Sequence, residues 1–143
     1  MSDTSPVYIS KETPEIQQHL EKIYPLFNQY DLDKPMLRLV YLLASQINAC
    51  AFCVNMHTSD ARNAGESNVR LDNLVVWRHV DFFSAKEKSI FAWTEALTRL
   101  DEHTDKGLLR AALKEHFSNK EIAVLTTNIA MINLWNRIGI STH

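Results

Sequence analysis

Two cysteines, Cys50 and Cys53, stand in C-x-x-C spacing, and His57 follows the second by four residues. They are the only cysteines in the chain. At about 100° per residue, a helix would gather the three side chains within roughly 60° of one another on one face. Such a patch offers two thiols and a titratable imidazole to each other. A C-x-x-C pair closes into a disulfide over a short loop, and the thiolate is the reactive form of each sulfur. A thiol in the first turn of a helix is made more acidic by the dipole and the unpaired N–H groups there. His57, one turn beyond Cys53, can accept its proton directly or through a water. Cys53 is therefore the candidate for first attack on an oxidant. Cys50 would resolve the resulting sulfenic acid into a disulfide before over-oxidation.

Two blander readings compete with a redox centre. Cysteines three apart on an apolar helix can be plain core residues. C-x2-C-x3-H also supplies three zinc ligands, which His79 or a carboxylate such as Asp60 could complete; no second C-x-x-C or H-x3-H accompanies it.

The elements that must position these groups read as helices throughout. The chain has 143 residues, 45% hydrophobic and 22% charged, with only 3 Gly and 4 Pro. That suits one domain able to bury about 68–70% of its unfolded surface. A net charge of −2 speaks against nucleic acid or an anionic membrane as the main partner. Residues 1–6 carry neither a basic nor an apolar signal region, and no apolar run approaches the ~18 residues of a membrane span. A cytoplasmic location is expected, where a lone C-x-x-C is catalytic or metal-binding rather than a structural staple.

Residues 1–12 read as an extended lead-in and 13–143 as the helical domain. Thr13-Pro14-Glu15 marks a helix start, and Pro25 should kink or end that helix. Asp33-Lys34-Pro35 starts a second helix, apolar on most sides and so expected to be central. Asn48 reads as the N-cap of a third, bearing the cysteines and closed by Gly65. Ser67 opens a short fourth. Ser84-Ala85-Lys86-Glu87 and Ser118-Asn119-Lys120-Glu121 are capping boxes, with a helix opened at Thr104 or Asp105 between them. The last helix should run to Gly139, with Asn128, Asn133 and Asn136 as buried hydrogen-bonding groups. Trp77, Trp93 and Trp135 read as core or interface anchors, and His19 and His103 as solvated. The expectation is all-α, about seven helices in one domain.

The run from Ser45 to Arg62, SQINACAFCVNMHTSDAR, resembles the signature of the carboxymuconolactone decarboxylase-like superfamily, and within it the AhpD-like (alkylhydroperoxidase D-like) branch with its C-x-x-C-x-x-x-H. Ala64-Gly65-Glu66, Trp77-Arg78, the run from Phe91 to Thr98, His116-Phe117-Ser118 and Asn133 with Trp135-Asn136-Arg137 extend the resemblance over residues 15–140. It implies an all-helical antioxidant protein without a bound organic cofactor, assembled as a trimer or hexamer. The implied reaction is thiol-dependent reduction of hydroperoxides, or disulfide exchange with a partner redox protein. In that resemblance Cys53 is the peroxidatic thiol, Cys50 its disulfide partner and His57 the proton acceptor. The branch commonly has a relay glutamate twelve residues before the first cysteine, and Arg38 stands there instead. A guanidinium cannot relay protons near neutrality. Arg38 is nonetheless expected near the level of His57, with Asp31, Asp33, Asp60 and Glu66 as candidate replacement acids. A redox sensor that switches association and a zinc-stabilised module remain as alternatives to the peroxidase.

Overall fold

Most helices begin where a side chain or a proline satisfies the first N–H groups. The computed structural model describes all residues, 1–143. In chain order the helices are α1 (Ile9–Glu12), α2 (Pro14–Glu21), α3 (Ile23–Phe27), α4 (Lys34–Ile47), α5 (Ala51–Asn63) and α6 (Asn68–Asn73). A 3-10 turn (Leu74–His79) leads on to α7 (Ala85–Arg99), α8 (Lys106–Lys114) and α9 (Asn119–Thr142). There are no strands, and the all-α expectation holds. The expected first helix is divided into α2 and α3 around Lys22, and one turn, α1, interrupts the lead-in. Thr13 precedes Pro14 as expected, but its hydroxyl donates back to Ile9 O at 3.2 Å instead of capping α2.

Both capping boxes form: Ser84 and Glu87 open α7, and Ser118 and Glu121 open α9. Asp33 Oδ1 accepts from Met36 N, and Ser67 Oγ from Arg70 N. Asp105 Oδ1 accepts from Gly107 N and Leu108 N. Each such cap stabilises its helix by about 1 kcal/mol. Gly65 closes α5 with φ +98°, where its N–H bonds Arg62 O and the next N–H, of Glu66, bonds Ala61 O. That pair of bonds needs a left-handed residue, which glycine adopts without steric cost.

α4 is the central helix, packed against α5, α7 and α9. Met36, Leu39, Val40, Leu42, Leu43 and Ala44 are all buried on it, so it has almost no solvent face. All but Ala44 belong to one continuous cluster with Leu74, Trp77, Ile90, Phe91, Trp93, Leu113, Leu125 and Ile129, which makes the chain one domain. Phe91 anchors the middle, with the Phe83 and Trp77 rings against its edges at 5.3 and 5.9 Å.

α9 is apolar but carries a polar seam. Asn48 Nδ2 donates to Asn133 Oδ1 at 2.9 Å and to Asn136 Oδ1 at 3.0 Å. Asn136 Nδ2 donates to Ser45 Oγ at 2.9 Å, and Ser45 Oγ donates to Tyr41 O at 2.7 Å. Asn133 Nδ2 donates to Thr98 Oγ1 at 3.0 Å. Asn128, Asn133 and Asn136 are thus buried and hydrogen-bonded, as expected. Asn133 and Asn136 tie the α4–α5 turn to α9.

Candidate redox site

Asn48 does not cap α5. It is the last, C-capping residue of α4, and Ala49 turns the chain at φ +54°. The N–H of Ala49 bonds Gln46 O and that of Cys50 bonds Ser45 O, the same closing pattern as at Gly65. An alanine in the left-handed region costs of order 1–2 kcal/mol, a strain the surrounding bonds of Asn48 must hold. The consequence is a shift of the helix start by two residues. Cys50 itself becomes the N-cap, and its Sγ accepts the Cys53 N–H at 3.3 Å. Cys53 then lies in the first turn.

The two sulfurs are joined in a disulfide, with Cα atoms 5.2 Å apart. Both residues are deeply buried, at 2% and 3% exposure. What covers them is the last part of α9. A Cβ on Gly139 would stand 3.1 Å from Cys53 Sγ and 3.2 Å from Cys50 Sγ. Gly139 therefore does not stop α9, which runs on to Thr142. It lets the helix backbone lie directly on the sulfurs, a close approach that only a missing side chain permits.

Two adjoining spaces reach this centre. A groove of about 370 Å³ runs past Cys53 between Tyr8 and Ile9, Phe52 and Met56, and Ile138 and Gly139. A second cavity of about 380 Å³ is lined by His57, Tyr24, Tyr41, Glu21, Ile132 and Trp135. Gln17, Met56 and Trp135 border both, so they form one interrupted cleft. Cys50 lines neither space. Of the two cysteines, Cys53 is the one that lines the groove.

His57 Nε2 is buried and has no protein partner. Its ring packs against Tyr41, centroids 5.6 Å apart. Burial pushes the imidazole pKa down, with the Asp60 carboxylate opposing. A neutral imidazole with a free nitrogen is the form that accepts a proton. Tyr41 donates its own proton to Asn128 Oδ1, and Trp135 Nε1 donates to Tyr24 Oη at 2.6 Å.

Of the predicted residues, Cys53 and His57 share α5 with Cys50 at its N-cap, and the sulfurs are covalently joined. Arg38 is not opposite His57. Tyr41, one turn later on α4, takes that place, while Arg38 lines a small groove with Ala61, Ala64, Gly65 and Glu66. Of the other proposed acids, Asp33 caps α4 and Glu66 pairs with Arg70 at 2.8 Å, whereas the Asp60 carboxylate is the one that acts on His57. His79 lines a different cavity, with Gln46 and Trp77, and so does not complete a four-ligand zinc set with the cysteines. Trp77 and Trp93 are buried anchors as expected, whereas Trp135 forms part of the cleft wall. Tyr24, Tyr41, Glu21 and Gly139 had no signal in spacing or motif; their roles arise from contacts between distant parts of the chain.

Residues 16–96 match the model of the carboxymuconolactone decarboxylase family. The chain belongs to that family. It is 34% identical over 133 residues to the uncharacterized protein YdfG of Bacillus subtilis, covering 93% of this chain and 88% of that one. Among solved structures it resembles a protein of unknown function from Agrobacterium tumefaciens, described provisionally as the antioxidant defence protein AhpD. That likeness has a TM-score of 0.88 and 30% identity, over 97% of this chain and 95% of the other. A peroxidase-related protein of Ralstonia eutropha, with an alkylhydroperoxidase AhpD core, shares the fold at TM-score 0.79 and 16% identity, over 93% and 71% of the two chains. Within the family, the C-x-x-C-x-x-x-H centre and the likeness to the Agrobacterium protein put the chain in the AhpD-like branch. No helix is long and apolar enough to cross a membrane.

Proposed function

We propose that the protein is a thiol-dependent hydroperoxide reductase whose working parts are Cys53, Cys50 and His57. The observation that carries this reading is a Cys50–Cys53 disulfide lying where a groove reaches Cys53 alone, one helical turn from a buried imidazole whose Nε2 has no protein partner. In the reduced protein the Cys53 thiol passes its proton toward His57. The thiolate attacks the outer oxygen of R–O–OH, an S–O bond forms, the O–O bond breaks and the alkoxide leaves to become an alcohol. Cys50 then attacks the Cys53 sulfenic acid and expels water, closing the disulfide. An external dithiol or a thiol partner protein returns both sulfurs to the thiol state. The Cys53 N–H, directed at Cys50 Sγ, stabilises charge on that sulfur whenever it attacks or leaves.

The burial of both sulfurs favours a small oxidant over a protein as the first reactant. The same exchange chemistry would serve a redox sensor, and turnover separates the two. With excess dithiol, wild-type protein should consume alkyl hydroperoxide catalytically. Cys53→Ser should abolish consumption, and Cys50→Ser should allow one turnover followed by over-oxidation of Cys53. Stoichiometric oxidation without turnover would support the sensor and reject the enzyme.

The exposed Val75, Val76, Phe82, Leu100 and Leu108 support a homo-oligomer, a trimer or hexamer by its resemblance to the family. A sedimentation mass near the 16.4 kDa of one chain would reject that. A cytoplasmic setting completes the reading, since it supplies the reductant a recycling dithiol needs.

A further inference from the structure

The alkoxide released when the O–O bond breaks is a strong base, and a proton must meet it as it forms. Cys53 has already given its proton to His57, and Cys50 lines neither space of the cleft. Besides His57, which takes up the Cys53 proton, its cavity is lined by three titratable groups: Tyr41, Glu21 and Tyr24. Tyr41 has committed its proton to Asn128 Oδ1, and Asn128 is itself fixed by donating Nδ2 to Val124 O at 2.9 Å. Glu21 is committed as an acceptor, taking the Gln17 Nε2–H at 2.9 Å, and it acts on Tyr24 by helping to raise that phenol's pKa. Tyr24 is different. Its oxygen accepts the indole N–H of Trp135 at 2.6 Å, a donor-only group, so the bond leaves the phenolic proton uncommitted. Tyr24 lines the same cavity as His57, and its indole partner Trp135 borders both that cavity and the Cys53 groove.

Resting on the peroxidase reading, we propose that Tyr24 is a catalytic residue, the general acid that protonates the departing alkoxide, with Trp135 as the residue that positions it. The step balances. Cys53–S⁻ and RO–OH give Cys53–SOH and RO⁻; Tyr24–OH and RO⁻ give ROH and Tyr24–O⁻. The phenolate is held by the Trp135 N–H and regains its proton from His57, which carries the one removed from Cys53. No further oxidant or reductant enters. Transfer from a phenol to an alkoxide runs downhill, because an alcohol is a far weaker acid than tyrosine. Burial raises the Tyr24 pKa, against the Trp135 hydrogen bond, so the phenol stays protonated at neutral pH until an alkoxide forms. The residue sits on the short α3 helix, and the hydrogen bond to α9 fixes where its hydroxyl points.

A leaving group that needs no proton separates this role from mere support of the fold. Reduced wild type, Tyr24→Phe and Trp135→Phe are each mixed with tert-butyl hydroperoxide and, separately, with peracetic acid, whose acetate leaves unprotonated. Loss of the Cys53 thiol is followed in a single turnover, and iodoacetamide alkylation reports access to the sulfur. Tyr24→Phe should slow the hydroperoxide reaction by about 10²-fold or more, while peracetic acid and iodoacetamide react at the wild-type rate. Trp135→Phe should show the same selectivity with a smaller loss. Equal rates for Tyr24→Phe and wild type with tert-butyl hydroperoxide would overturn the assignment and leave the peroxidase reading intact. So would equal slowing with both oxidants, which signals a structural defect. Wild-type thiols that alkylate normally but ignore every hydroperoxide would overturn the peroxidase reading, and Tyr24's role with it.

Discussion

Asn136→Ala removes the centre of the polar seam that fixes the turn before Cys50. Asn136 is fully buried, accepts from Asn48 Nδ2 at 3.0 Å and donates to Ser45 Oγ at 2.9 Å. Each of those bonds contributes about 1 kcal/mol net. Truncation also leaves a small void, adding about 1 kcal/mol. The remaining groups are not abandoned: Asn48 Nδ2 still reaches Asn133 Oδ1, and Ser45 Oγ still donates to Tyr41 O. The expected loss is thus about 2–3 kcal/mol and not the larger figure for an orphaned buried donor. Urea unfolding of the oxidised protein at fixed concentration measures it. A double-mutant cycle with Asn48→Ala should show a coupling of about 1 kcal/mol, because the two residues share a bond. Only that coupled part bears on Ala49 and Cys50, so the disulfide potential should move by no more than about 20 mV. Destabilisation below about 0.5 kcal/mol, or strictly additive single variants, would refute the claim that this seam holds the turn.

Other expectations follow from single contacts. Because burial lowers the His57 pKa below the ordinary histidine value of 6.5, the unfolded chain binds that proton first as pH falls. Its contribution is therefore complete above about pH 6.5 and is lost as pH drops toward the folded-state pKa. His57→Gln should flatten stability against pH just below 6.5, in urea titrations, and should slow thiolate formation at Cys53. Gly139→Val should cost about 1–3 kcal/mol through overpacking on the sulfurs and speed alkylation of the reduced cysteines. Arg38→Glu should leave hydroperoxide turnover unchanged, since Arg38 lines the groove by Gly65 and not the cleft; a rise in turnover would show that it reaches the relay.

The helices were legible because their starts are local chemistry. Ser84 with Glu87, Ser118 with Glu121, and Asp33 before Pro35 each satisfy N–H groups within one turn, whatever the rest of the chain does. The central place of α4 was legible too, from apolar residues on most of its faces. The turn at Ala49 was not, because asparagine is a good N-cap and alanine a poor left-handed residue. Only the hydrogen bonds of Asn48 to α9, more than eighty positions away, reverse those preferences. Gly139 was read as a helix stop for an equally local reason; its use is to admit two sulfurs from α5. The cysteines and His57 were visible because their types alone carry chemistry at that spacing. Tyr24 and Trp135 meet across 111 positions, and no periodicity records such a meeting. The register of α4 against α5 is of the same kind, and it puts Tyr41 where Arg38 was expected.

Reduced protein mixed with tert-butyl hydroperoxide and read by intact mass tests the redox centre most directly. Wild type should lose a pair of hydrogens, with the new disulfide in the peptide that holds Cys50 and Cys53. Cys50→Ser should gain oxygen on Cys53, and Cys53→Ser should keep its mass. Oxidation of Cys50 in the Cys53→Ser protein at the wild-type rate, or wild-type thiols that survive the hydroperoxide, would contradict attack by Cys53.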